Sequence, residues 1–382
     1  MNHTRVTRQG LTGKRQGREA VPGEGRRAAD GQRTDGARRW RGKRRAEEPT
    51  VPRAEFTSYY GKPVLNPPVW EARDIAGYLF LGGLAGGSSL LAAGADLTGR
   101  TELSRAAKSG AFAAIALSLA ALVHDLGRPA RFINMMRVFK VTSPMSVGSW
   151  LLGGYAPAAG VAAATALTGR LPRTGAAATA GAALLGPAVA SYTAALISNT
   201  AVPAWHDGYR EMPFVFTGSG AMAAGGLGLL AAPLGETAPA RNLALLGTAM
   251  ELAAFERMTR RIGMTGEPYS TGRGGGYVKA GKSLAVLGAA GAALGAVPWP
   301  VPGMSRMTQG TGGRVLAAAS GAALIAASVA TRWGIFHAGL ASARDPKYTV
   351  VPQRKRLSER GTAKTGPARP KAYQAPPPVP PA

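Results

Sequence analysis

The chain has 382 residues, 46% of them hydrophobic and only 17% charged, and Lys plus Arg outnumber Asp plus Glu by 46 to 20, a net charge of +26. It contains no cysteine, which excludes disulfides, thiolate metal sites and a cysteine-ligated iron–sulfur cluster within it, so electrons passing here need a carrier on another chain. Much of the positive charge lies in tails beside apolar runs, where anionic lipid headgroups account for it without nucleic acid.

Residues 1–56 mix Arg, Gly, Ala and acidic side chains without apolar period and read as a disordered basic tail. The pairs Arg26-Arg27, Arg38-Arg39 and Arg44-Arg45 are not followed closely by an apolar core, which argues against a twin-arginine export signal. From Tyr59 to Trp70, prolines keep the chain extended and aromatics suit a membrane interface, so this stretch is a lead-in along the surface.

Residues 57–345 form the transmembrane domain. Eight stretches approach the roughly 20 apolar residues that a bilayer requires: Trp70–Ala95, Arg105–His124, Met145–Thr168, Ala176–Thr200, Pro213–Ala232, Ala240–Ile262, Lys279–Pro298 and Gly313–Ala341. The fold class expected is an all-α integral membrane protein of about eight transmembrane helices in two four-helix bundles, with disordered basic tails. The loops after spans two, four and six hold most of the basic residues, so those loops and both tails are expected on the cytoplasmic side of the cell membrane. Residues 346–382 are basic and then proline-rich, ending in the extended run Pro376–Pro381.

Within the first span, Asp74 and Tyr78 are four apart and project from one face at the helix start. They are either a helix-start carboxylate with an interfacial tyrosine, or a site. Gly82 with Gly86, and Gly83 with Gly87, line faces where another helix or a flat ligand can approach the backbone. His124, His206 and His337 fall at the same-side ends of spans two, four and eight, a placement poorly suited to bis-imidazole haem ligation or to zinc. Arg332 lies about two turns inside span eight and calls for a carboxylate partner, with Glu251 and Glu256 of span six as candidates. Glu251, near mid-membrane, is either half of an ion pair or a proton-relay station. Tyr192 lies in span four, about two turns before its end. Gly272-Arg273-Gly274-Gly275-Gly276 reads as a flexible loop.

Six stretches together resemble the NrfD/PsrC family, the membrane subunits of polysulfide-reductase-like molybdopterin oxidoreductases. They are Trp70 with Tyr78–Ser88; His124–Pro129 with Phe132; Thr142–Trp150; Tyr192-Thr193; Pro203 with Trp205; and Asp345–Tyr348. The resemblance implies an eight-helix quinone-reactive anchor docked to a ferredoxin-like iron–sulfur subunit, which links it to a molybdopterin catalytic subunit. In polysulfide reductase an amide and a histidine at the start of the first helix and a tyrosine of the fourth hold the quinone headgroup. By motif Tyr192 matches that tyrosine, Tyr78 falls where the histidine would be, and Asp74 where the amide would be. The expected site is therefore Asp74, Tyr78, Tyr192 and His124 for menaquinone headgroup binding and proton transfer. Gly82, Gly83, Gly86 and Gly87 would form the pocket wall, and Glu251, Glu256 and Arg332 a proton path or ion pair. Other readings of the same spans are a transporter with a polar path through those three residues, or a passive anchor.

Overall fold

The computed structural model describes residues 5–7, 10–12, 64–68, 70–125, 134–296 and 310–364. Most of the basic tail, the lead-in before residue 64, Leu126–Ile133, the end of span seven at Pro298 and the C-terminal proline run lie outside the described residues. The chain divides into two units, residues 65–345 and the two flanking tails. In the tails, Arg5–Thr7 pairs with Gly10–Thr12 as a short antiparallel ribbon, and Lys347–Lys364 is a helix.

The main unit is all helical. Its elements are α1 (Ala72–Leu97), α2 (Thr101–Asp125), α3 (Pro144–Thr168), α4 (Pro172–Ser198), the short α5 (Pro203–Asp207), α6 (Met212–Ala231), α7 (Ala238–Ile262), α8 (Gly272–Leu294) and α9 (Gly310–Arg344), with a 3-10 helix at Gly263–Tyr269. Among the described residues, eight long helices occupy the eight expected stretches. Six of them, α1 to α4, α6 and α9, are long and apolar enough to cross a membrane. The chain is thus a multi-pass, all-α membrane protein. α7 and α8 have the length, but charged side chains from Arg241 to Lys282 dilute their apolar character.

Local chemistry sets several boundaries. Ser143 caps α3 by accepting from the Ser146 N–H, Pro144 supplies a preset first-turn φ, and Gly169 ends the helix at φ 68°, a left-handed angle that favours glycine. The glycines at 272–276, expected as a loop, instead begin α8. The reason is packing: a β-carbon on Gly274 would crowd the Ala338 backbone, so small residues let α8 lie against α9.

Helices α1 to α4 pack together, as do α6 to α9, and α1 and α6 join the two sets. In both joining helices 72% of the apolar stretch is buried, against 28% in α2 and α3, so α1 and α6 form the centre. With no hydrophobic effect to drive helices together inside lipid, close backbone approach takes over. A β-carbon on Gly86 would overlap the Gly186 carbonyl of α4, and one on Gly87 would come within 2.6 Å of the Gly220 carbonyl of α6. At one end of the bundle α5 inserts Trp205, wholly buried, which stacks on Trp70 with centroids 6.0 Å apart and donates from its indole N–H to Ile335 O at 2.8 Å.

Candidate functional site

A cavity of about 290 Å³ opens between α1, α2, α3 and α4 at the end where α1 starts. Its walls are mostly apolar, with Trp70, Ile75 and Leu79 on one side and Leu152, Leu196 and Ile197 on the other. Two tyrosines from different helices converge there. Tyr78 is only 2% exposed and Tyr192 half-buried, and neither hydroxyl is engaged by another described residue. Both side chains thus bring a polar group to an otherwise mostly apolar wall.

Tyr192 reaches the cavity because α3 has no side chain at residue 148. A β-carbon on Gly148 would overlap the edge of the Tyr192 ring. The glycine therefore lets the Tyr192 ring of α4 approach the α3 backbone closely.

Asp74 and His124 meet one turn of α1 before Tyr78. His124 Nδ1 and Asp74 Oδ2 are 2.9 Å apart, with the Asp74 side chain 15% exposed and the imidazole 78% exposed. Neither lines the cavity, but Asp125, the residue after His124, does. Asp125 at the cavity wall is therefore next in sequence to the exposed imidazole that pairs with Asp74.

Gly82, Gly83, Gly86 and Gly87, the glycines expected as the pocket wall, lie deeper in α1, and none is among the cavity-lining residues. Gly83, Gly86 and Gly87 sit at crossings with Arg332, α4 and α6, where the neighbour is another helix rather than a ligand. Gly82 is different, since a β-carbon there would make ordinary contacts, 3.7 Å to Ser118 Oγ and 3.8 Å to Thr193 Cγ2.

Glu251 and Arg332 are both buried, at 3% and 0% exposure, between α6, α7 and α9. Arg332 was expected to need a carboxylate in contact. Instead its Nη2 donates to Phe216 O at 2.8 Å, its Nε faces Leu79 O at 3.4 Å, and its guanidinium lies 3.8 Å over the Phe216 ring. Backbone carbonyls take up Nε and Nη2, and a π face covers the guanidinium, because α1 and α6 cross so closely here. Glu251 accepts at 2.6 Å from the hydroxyl of Thr331, the residue before Arg332, while its other oxygen and Arg332 Nη1 have no hydrogen-bond partner among the described residues. Glu256 is not with them. It sits half-exposed near the end of α7, paired with Arg260 at 2.9 Å and Lys282 at 3.7 Å.

The remaining histidines are separately engaged: His206 Nδ1 is 3.2 Å from Ser198 O, and His337 stacks on Tyr277. Among the described residues no group of three or more His, Cys, Asp or Glu is placed to hold a metal ion. At the same end, outside the spans, Glu211 accepts two bonds from Arg261 at 2.8 and 2.6 Å, and this guanidinium holds its carboxyl below the usual carboxylate range.

Sequence reading missed Asp125, Ser149 and Asn199 of the cavity wall, and with them the share of α3. Asp125 and Ser149 sit inside two of the stretches that carry the family resemblance, which was the available signal; Asn199 had none. A family model described as polysulphide reductase, NrfD, matches residues 64–255, half of the chain, from just before α1 to just past Glu251. The chain belongs to the NrfD family. NrfD proteins are membrane anchors of molybdopterin oxidoreductases and interact with quinones, and the matched segment contains every helix that walls the cavity. A comparison with curated proteins finds no match.

Proposed function

We propose that this NrfD subunit binds the headgroup of menaquinone or menaquinol in the cavity between α1 and α4. It exchanges the electrons with an iron–sulfur cluster of a ferredoxin-like partner, itself joined to a molybdopterin subunit. The observation that carries this reading is the pair of tyrosines, Tyr78 and Tyr192, whose hydroxyls no other described residue engages, in a mostly apolar cavity. About 290 Å³ lies at the lower end of ligand-pocket sizes, which suits a flat ring whose isoprenoid tail stays in lipid.

When bound, a quinone supplies two-electron, two-proton chemistry. The residues present fit its needs. Tyr78 and Tyr192 would hold the ring by donating to its carbonyl oxygens. Leu79, Leu152 and Ile197 exclude water from its faces. Asp125 and the Asp74–His124 pair hold and pass protons between the cavity and the exposed imidazole. The glycines act indirectly, since the close crossings at Gly86 and Gly87 fix α1 and hence the position of Tyr78. Glu251 and Arg332 lie behind this wall and serve as its buried charged support. On the distribution of loop charge, both termini face the cytoplasm and the cavity opens on that side.

The test is quinone-linked turnover in membranes bearing Tyr192→Phe, Tyr78→Phe or Asp74→Asn, with assembly checked on the same samples. Each variant is expected to lose turnover while the complex stays intact. Full turnover in Tyr192→Phe and Asp74→Asn membranes would falsify the assignment.

A further inference from the structure

We propose that Arg137–Val141, between α2 and α3, is a membrane-interface wedge that rests in anionic lipid headgroups and sets the cavity mouth at that depth. The second clause rests on the quinone reading above; the first does not.

The segment mixes two basic with three apolar side chains: Arg137, Val138, Phe139, Lys140, Val141. All five are exposed, and the apolar ones markedly so, with Val138 at 69%, Phe139 at 57% and Val141 at 74%. An aqueous loop this apolar is costly, and slackness does not explain it, because the backbone is tied down. Ser146 Oγ of α3 donates to Val138 O at 3.0 Å and accepts from Lys140 N–H at 2.9 Å, while Ser143 N–H donates to Lys140 O at 3.0 Å. Met136, just before, packs where α3 has only Gly153. These ties hold the apolar side chains outward.

Two observations identify lipid as the occupant. Phe139 packs edge-on against Trp150 with centroids 6.1 Å apart, and Trp150 belongs to the outward face of α3, a helix apolar enough to cross a membrane. Trp150 and Val161 lie eleven residues apart, three helical turns, and both are exposed, so the loop continues a lipid-facing stripe. Aromatic side chains there match the headgroup level, and Arg137 and Lys140 place their stems among lipid and their charges against anionic headgroups. The same stretch of chain supplies Met135, Ser143, Pro144 and Met145 to the cavity, so its depth in the bilayer is also the depth at which a lipid-soluble ring meets the mouth.

The absence of cysteine makes the test direct, because one introduced thiol is the only labelling site in this chain. The full-length chain carrying Val138→Cys, Phe139→Cys or Val141→Cys, each spin-labelled, is reconstituted in phosphatidylcholine vesicles with and without phosphatidylglycerol. Collisional relaxation by oxygen is compared with that by a nickel chelate. The expected result is preferential access of oxygen at all three positions, with deeper placement when phosphatidylglycerol is present. In Arg137→Gln/Lys140→Gln backgrounds the phosphatidylglycerol effect is expected to vanish while oxygen access persists. Preferential access of the nickel chelate in vesicles overturns the inference. So does protection from both agents that appears only once partner subunits are added, since that marks a protein-docking surface. None of these readouts requires bound quinone, so failure here and failure of the quinone reading are separable.

Discussion

Gly148→Ala probes the site without touching any polar group. The added methyl would overlap the Tyr192 ring, and both sit on packed helices, so the ring must turn away or α3 and α4 must separate. Overpacking of this kind typically costs about 1–3 kcal/mol. If the ring turns away, the hydroxyl leaves the cavity, and the loss of one neutral hydrogen bond, about 0.5–1.5 kcal/mol, weakens headgroup binding roughly twofold to tenfold. Quinone-analogue titration and thermal unfolding of the purified complex read the two effects separately. A double-mutant cycle with Tyr192→Ala sharpens the claim, because removing the ring removes the overlap. Gly148→Ala is then expected to be nearly neutral in stability, leaving a coupling of about 1–3 kcal/mol. The reasoning fails if Gly148→Ala alone changes neither affinity nor melting temperature, or if its cost is the same with and without the Tyr192 ring.

Gly86→Ala places a methyl in the Gly186 carbonyl and is expected to prevent stable assembly, whereas Gly82→Ala, with 3.7 Å to its nearest neighbour, is expected to be tolerated; expression and detergent stability compare them. The Arg261 guanidinium holds the Glu211 carboxyl below the usual carboxylate range, so its contribution is present at neutral pH and is lost only as pH falls below that range and through the lower pKa of the folded state. Glu211→Gln should lower stability by about 1.5–3 kcal/mol at pH 7, and its difference from the parent should shrink as pH falls below the usual carboxylate range, which a series of melting curves would show. Glu256→Gln, at the half-exposed end of α7, is expected to leave quinone-linked turnover unchanged, and a large loss would return this residue to the proton route.

Spans were legible because apolar length alone marks them, and six of the eight stretches meet that measure in the folded chain. What each helix faces was not. Gly- and Ala-rich spans have no contrasting polar side, so neither the meeting of Gly86 with Gly186 nor that of Gly83 with Arg332 can be read from spacing. Tyr78 stood out by its spacing from Asp74 and Tyr192 by motif resemblance, and the structure brings the two tyrosines to one cavity. Asp74 and His124 were each singled out but not paired, since 50 residues separate them. Arg332 and Glu251 are both buried and interact through space, but the hydrogen bonds of Arg332 were not legible, because the carbonyls that receive them come from main chain, which every sequence possesses equally.

The crossings at Gly86 and Gly87 have a mechanical consequence. Backbone locked against backbone on two sides gives α1 no freedom to slide or tilt, so it behaves as a keel. Whatever enters between Tyr78 and Tyr192 must do so without moving that helix. Adjustment of the cavity then falls to its side chains, among which the unbranched Met135 and Met145 have the most rotatable bonds.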